Sequence, residues 1–256
     1  MKRMPSVVFF FILLLMSVLS CVKEDRESCP CRLMLDLSGI DTSVVKVLNI
    51  QAFNSDGVVF SDTLSIEDFD CIYVREVPRD DLRLTLWGGC NAYEDLRIPY
   101  GMECPPLYMS SFDADARGET VFRKVVLLKN HCNLTVLFEG REQMPYSLTF
   151  RGNVDGYDND GSPSAGEFSC VAYPSQTDAS RVILPRQTDD SLLLDVEDME
   201  SSVLKTFAIG KYLTASGYDW AEENLEDATV ILDYHVTGIT ITYKGWDEEY
   251  TYDIIL

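Results

Sequence analysis

Leucines stand at 33, 35 and 37 with Met34 and Asp36 between them, and again at 82, 84 and 86 with Arg83 and Thr85 between them. A period of two places each leucine set on one face of an extended strand, whereas a helix would scatter it around its circumference. Leu134, Val136 and Phe138 repeat the pattern against Asn133, Thr135 and Leu137, and Ile239, Ile241 and Tyr243 repeat it against Thr240, Thr242 and Lys244. The β-rich run from Val47 to Phe53 meets Ser55-Asp56-Gly57 and then Val58-Val59-Phe60, which predicts a hairpin. Strands in this number, separated by turn residues, predict an all-β chain of antiparallel sandwiches. Residues 88–118 carry Gly, Pro, Cys and Asp with little periodicity, so they predict a long loop or irregular edge. That shift of texture places a domain boundary near residue 120, giving sandwiches over 32–120 and 121–256, a size that suits each. One helix is predicted, over 219–227, where Asp219 and Glu222 have the spacing of a capping box.

The N-terminal stretch is of a different kind. Lys2 and Arg3 precede an apolar run from Val7 to Leu19. A membrane-spanning helix needs about 20 apolar residues, so this run is short for one and matches the core of an export signal over residues 1–20. Val18, Leu19 and Ser20 directly before Cys21 resemble the lipobox of bacterial lipoproteins. The resemblance implies cleavage before Cys21 and attachment of diacylglycerol and palmitate to it, with residues 21–31 as a lipidated linker. Lys23, Glu24 and Asp25 resemble the signal that directs such lipoproteins to the outer face of the outer membrane; a plain solvated linker has the same letters.

The formal net charge is −21, and both Lys2 and Arg3 lie in the leader. A body this acidic repels phosphate backbones and anionic headgroups, which argues against nucleic acid as a partner and leaves the lipid as the membrane attachment. Eight cysteines in an exported chain predict disulfides. With Cys21 acylated, an odd number remains, so at least one thiol stays free or pairs outside the chain.

Catalytic chemistry is sparse. The two histidines, His131 and His235, each sit in a strand-like run, and no metal-protease, nucleophile-elbow or phosphate-loop pattern is present. No catalytic residue, cofactor or metal is therefore expected. In residues 156–167, Asp158, Asp160, Gly161 and Glu167 fall at four calcium-loop positions, but Gly156 replaces the first ligand and Pro163 interrupts the centre. A polar turn between strands explains the same letters.

Taken in order, Cys21, Cys29-Pro30, Phe53 before Ser55-Asp56-Gly57, the segment VREVPRDDLRLTLWGG and the closing LDYHVTGITITYKGW resemble the FimB-like fimbrial anchor lipoproteins of Gram-negative anaerobes. The chain departs from that pattern at Pro78-Arg79-Asp80-Asp81, where relatives carry a glycine-containing turn. The resemblance implies two tandem transthyretin-like β-sandwiches, and a structural role at the cell outer membrane, holding or capping a fimbrium through contacts with stalk subunits. It also implies assembly by strand donation, for which Trp246, Tyr250, Tyr252, Ile254 and Leu256, all on one face of the last strand, are the candidates; an ordinary edge strand is the alternative. A surface glycan-binding lipoprotein is the competing function, with Trp87, Trp220 and Trp246 as its platform.

Overall fold

The computed structural model describes residues 29–65, 71–89, 96–139, 147–174, 179–200, 202–233, 238–244 and 249–255. The lipobox, Cys21, the Lys23-Glu24-Asp25 segment, His235, Trp246 and Leu256 lie outside the described residues.

The first half of the chain forms β1 (Cys31–Asp36), β2 (Val47–Asn54), β3 (Gly57–Ser65), β4 (Ile72–Val77), β5 (Asp81–Gly88), β6 (Tyr108–Asp115), β7 (Thr120–Lys124) and β8 (Leu128–Lys129). They make two sheets, ordered β4-β1-β7 and β3-β2-β5-β6-β8. The alternation explains how the sheets face each other. Leu33 and Leu35 from the first sheet meet Leu48, Ile50, Leu82, Leu84 and Leu86 from the second in one buried core. Their polar neighbours Arg32 and Asp81 stay exposed. At one edge the sheets are tied by polar groups: the Tyr73 hydroxyl donates to the Asp62 carboxylate, which also pairs with Arg75, and the Arg75 guanidinium lies 4.5 Å from the Phe60 ring centre.

The second half forms β9 (His131–Glu139), β10 (Ser147–Tyr157), β11 (Pro163–Ala172), β12 (Ala179–Pro185), β13 (Leu193–Glu197), β14 (Val203–Phe207), α1 (Ile209–Ala215), β15 (Ala228–Asp233), β16 (Gly238–Lys244) and β17 (Glu249–Ile255). The sheets are β11-β10-β13-β14 and β12-β9-β15-β16-β17. Leu134, Val136, Leu148, Phe150, Phe168, Leu184, Leu194 and Val230 fill the space between them. The all-β, double-sandwich architecture expected of the sequence is present.

Three local expectations are corrected. First, residues 108–115 are not an irregular edge but strand β6, paired on one side with β5 and on the other with β8. Second, residues 219–227 are not helical. Asp219 accepts the Ala221 N–H in a short polar turn, and the carbonyls of Trp220, Glu222 and Glu223, which a helix would need, are all taken by the Arg186 guanidinium. The helix lies instead at 209–215, where Ile209 and Leu213 share a buried face. Its end is a left-handed glycine cap: Gly217 has φ 97°, its N–H bonds to Thr214 O, and the Tyr218 N–H bonds to Leu213 O. Third, the six described cysteines form no disulfide. Cys104, Cys132 and Cys170 are all packed in the second core as small apolar side chains. Cys29 precedes β1 while Cys71 bonds through its carbonyl to Leu37 just beyond the strand's other end, so β1 separates them by its whole length. Burial pushes the Cys132 thiol up to about 11 and the Cys170 thiol up to about 12, which keeps both protonated and unreactive.

Candidate functional site: sheet edges, junction and groove

The unpaired edge of a sheet is a candidate site for another chain, because it offers a row of main-chain donors and acceptors. The last described strand, β17, supplies one. It pairs antiparallel with β16, Tyr250 opposite Tyr243, Tyr252 opposite Ile241 and Ile254 opposite Ile239. Among the described residues its other side has no strand neighbour. The candidate donor segment is thus folded into its own sheet, at the edge. A second edge, β14, is more apolar than an edge usually is: Val203 and Leu204 are exposed, as is Met199 before them.

The two sandwiches meet at a junction built from polar and apolar parts. Trp87, Leu96, Leu107, Met109 and Tyr157 form a small buried cluster between the larger cores. Residues 96–107 cross from the first sandwich onto the second. Ile98 N–H bonds to Asp155 O at 2.6 Å, Gly101 N–H to Ser169 O at 2.8 Å and Cys104 N–H to Ile183 O at 3.2 Å. In return, the turn between β10 and β11 reaches back, the Thr85 hydroxyl donating to Asn159 O and Arg83 to Asp160 O. Close approach is possible because Gly156 has no side chain: a Cβ there would lie 2.3 Å from Leu96 O. Two of the calcium-loop residues have partners within the protein. Asp158 pairs with Arg97, Asp160 accepts from Ser162 within the turn, and no metal-binding cluster occurs among the described residues.

His131 is part of the same region. It is buried, with Tyr108 edge-on at 5.2 Å between ring centres, and Leu107 N–H donates to its Nδ1 at 3.0 Å. Burial lowers its pKa, so the ring is a neutral structural acceptor.

The second sandwich also carries an open groove of about 620 Å³ between the segment after β12 and the segment after α1. Gln187, Tyr218 and Trp220 are buried beneath it, while Thr188, Asp189, Asp190, Thr214 and Asp219 stand exposed around it. Arg186 stitches the two segments together, bonding to Asn130 Oδ1 and to three carbonyls of residues 220–223 at 2.5–3.1 Å. Tyr218 and Trp220 stack edge-to-face at 4.8 Å. The indole N–H of Trp220 and the Oε1 of Gln187 are buried and have no hydrogen-bond partner among the described residues. Trp87 and Trp220 therefore do not form the exposed platform expected of a glycan binder: they are 2 % and 7 % exposed. Trp87 shares the face of β5 that carries Arg83 and Thr85, opposite the leucines, and is buried there by the small junction cluster, which the alternation around it does not foretell. The groove itself had no sequence signal, because residues 186–190 and 214–221 are joined only by the folding of β13, β14 and α1.

No family model and no curated protein sequence matches the chain. Solved structures do match its fold. A candidate polysaccharide-binding protein from Bacteroides thetaiotaomicron aligns over 88% of this chain and 98% of its own, with TM-score 0.61 and 13% identity. The fimbrial anchor protein Mfa2 from Porphyromonas gingivalis aligns over 85% and 98%, with TM-score 0.59 and 11% identity. A candidate adhesin from Bacteroides ovatus aligns over 88% and 95%, with TM-score 0.58 and 12% identity. The fold is shared across nearly the whole of each, both sandwiches included.

Proposed function

We propose that this chain, which shares the fold of a fimbrial anchor and of surface adhesins, is a cell-surface accessory subunit of a fimbrium, tethered to the outer membrane through a lipid on Cys21. The observation that carries the reading is the alignment with an anchor protein over 98% of that protein's length, which includes both sandwiches and their connection. Its role is structural rather than catalytic.

The layout of the first sandwich supports a tether at one end and a load at the other. The lipidated linker enters at Cys31, which lies opposite Val77, at the end where β5 begins and β6 finishes. The chain leaves toward the second sandwich from the far end, where Gly88 pairs with Tyr108 and Tyr108 with Lys129. The ten residues from Cys21 to Cys31 span at most about 36 Å when extended, so the body stands close to the bilayer surface. The acidic body has no charge attraction to anionic headgroups, which leaves the acyl chains as the hold.

Contact with stalk subunits is made by strand pairing at the C-terminal edge. Deleting residues 246–256 removes β17 and leaves β16 as the edge of its sheet. In cells bearing fimbriae, the deletion is expected to release fimbriae into the medium while the anchor itself stays folded and membrane-bound. Fimbriae that remain attached at normal levels would overturn the strand-pairing part. Substituting Cys21→Ala tests the tether separately: labelled palmitate should no longer enter the protein, and the protein should leave the membrane fraction.

A further inference from the structure

We propose that the outer face of the β4-β1-β7 sheet rests on the lipid bilayer to which the chain is tethered. The inference rests on the reading of Cys21 as the acylated residue and goes beyond it, because it assigns which face of the first sandwich meets the membrane.

The strand registers define this face row by row. Leu33, Leu35 and Val77 turn inward to the first core, so the residues alternating with them turn outward. Nearest the tethered end, Arg32 lies between Glu76 and Thr120; in the middle, Met34 lies between Val74 and Phe122; at the far end, Asp36 lies between Ile72 and Lys124. The first and last rows carry one cation and one carboxylate each, so the three rows are neutral on a chain whose formal charge is −21. Anionic headgroups do not repel such a face as they repel the acidic body. The solvated face of a sheet is ordinarily polar, yet the middle row is wholly apolar: Val74 is 44 % and Phe122 59 % exposed, with Met34 half-buried between them.

Size and position select the occupant. One row across three strands makes a stripe about 14 Å by about 7 Å, on the order of 100 Å². A stable interface between proteins covers about 800 Å² on each partner, so the stripe holds neither a second copy nor another subunit by itself. A bilayer needs no such area, since acyl chains on Cys21 confine the body to its surface and make the contact of the stripe an intramolecular event. The reach suits this occupant: at most about 36 Å of chain separates Cys21 from Cys31, and Met34 stands on the strand that Cys31 begins. So does the composition. Phenylalanine and methionine beside arginine and lysine suit the boundary between headgroups and acyl chains, where apolar side chains enter and long cationic ones reach back to the phosphates.

The test places tryptophan on this face of the full-length, acylated protein, carried in phosphatidylcholine vesicles with and without bromine on the acyl chains. Phe122→Trp and Val74→Trp report on the stripe, and Tyr173→Trp, at an exposed position of the second sandwich, is the control; thermal melting verifies that each variant is folded. The unsubstituted chain gives the background emission. Brominated lipid is expected to reduce the added emission of Phe122→Trp and Val74→Trp about twofold or more and to leave that of Tyr173→Trp unchanged. Adding Cys21→Ala to Phe122→Trp should abolish the quenching, because the stripe is too small to hold the body alone. Equal quenching at all three positions, or none at 122 and 74 in protein that stays with the vesicles, would overturn this inference and leave the anchoring role intact. A blue-shifted Phe122→Trp emission that bromine does not quench would put a second copy or another protein on the stripe and overturn it as well. A chain into which labelled palmitate does not enter would overturn both readings together, which sets that failure apart from the others.

Discussion

Replacing Arg186 by alanine should destabilise the second sandwich by about 3 kcal/mol, and the structure says where that comes from. The guanidinium makes four hydrogen bonds, to Asn130 Oδ1 and to the carbonyls of Trp220, Glu222 and Glu223. Those to Glu222 and Glu223 are exposed, so water replaces the arginine there at little cost. Those to Asn130 and Trp220 are part-buried and charge-assisted, a class worth about 1.5–3 kcal/mol each. Two bonds at the low end of that range give the figure. For a domain of this size it corresponds to a melting temperature lower by roughly 6–12 °C. Arg186→Lys should recover less than half of the loss, because a single ammonium cannot fork between Asn130 and the 220–223 carbonyls. Urea unfolding read by tryptophan fluorescence gives the stability, and hydrogen exchange locates it: amides of 218–225 should lose protection first. A loss under 1 kcal/mol in the alanine variant, or full rescue by lysine, would refute the view that this arginine holds the segment out of a helix.

Two further outcomes follow from the junction and its histidine. Gly156→Ala places a Cβ 2.3 Å from Leu96 O and 2.9 Å from Arg97 Cα, backbone atoms that cannot step aside, so a loss near the upper end of the about 1–3 kcal/mol usual for overpacking is expected, with faster proteolysis within residues 96–107; an unchanged melting temperature would mean the two sandwiches do not need this contact. His131 has a folded pKa below its unfolded value because it is buried, so the unfolded chain binds the extra proton and stability declines as pH falls through the ordinary histidine range; His131→Phe should flatten that slope between pH 7 and 5 in melting experiments, and an unaltered slope would place its origin elsewhere.

How much of this was legible beforehand depends on whether one face of an element is buried in apolar company. Leu33, Leu35, Leu82, Leu84, Leu86, Leu134 and Val136 are all in the cores, as their alternation demands. Strand β6 was hidden because its Ser110 and Ser111 lie on a sheet partly covered by polar contacts: Ser111 meets Thr85, and a Cβ on Gly161 of the β10–β11 turn would come within 2.9 Å of Ser111 Cβ. A strand whose cover is polar carries no period of two. The helix at 219–227 was a sound local reading of Asp219 and Glu222, overridden by one distant side chain, Arg186, that local patterns cannot reveal. The seven residues of α1 were too few to show a period, although Gly217 marks where it stops. The cysteines misled for a simpler reason: Cys104, Cys132 and Cys170 serve the second core, and Cys31 the first, as small apolar side chains. The groove depends on two loops brought together by what lies between them, which no short stretch can announce.

Strand β1 has a consequence for anything that hangs from it. It is paired along its whole length on both sides, Cys31 to Asp36 against β4 and Arg32 to Asp36 against β7. A pull entering at Cys29 runs along this strand, across the direction of its hydrogen bonds, so both ladders are strained together instead of opening one bond after another. If the proposed tether and load act at its two ends, the first sandwich should resist as a single sheared unit, with its stiffest element next to the proposed point of attachment.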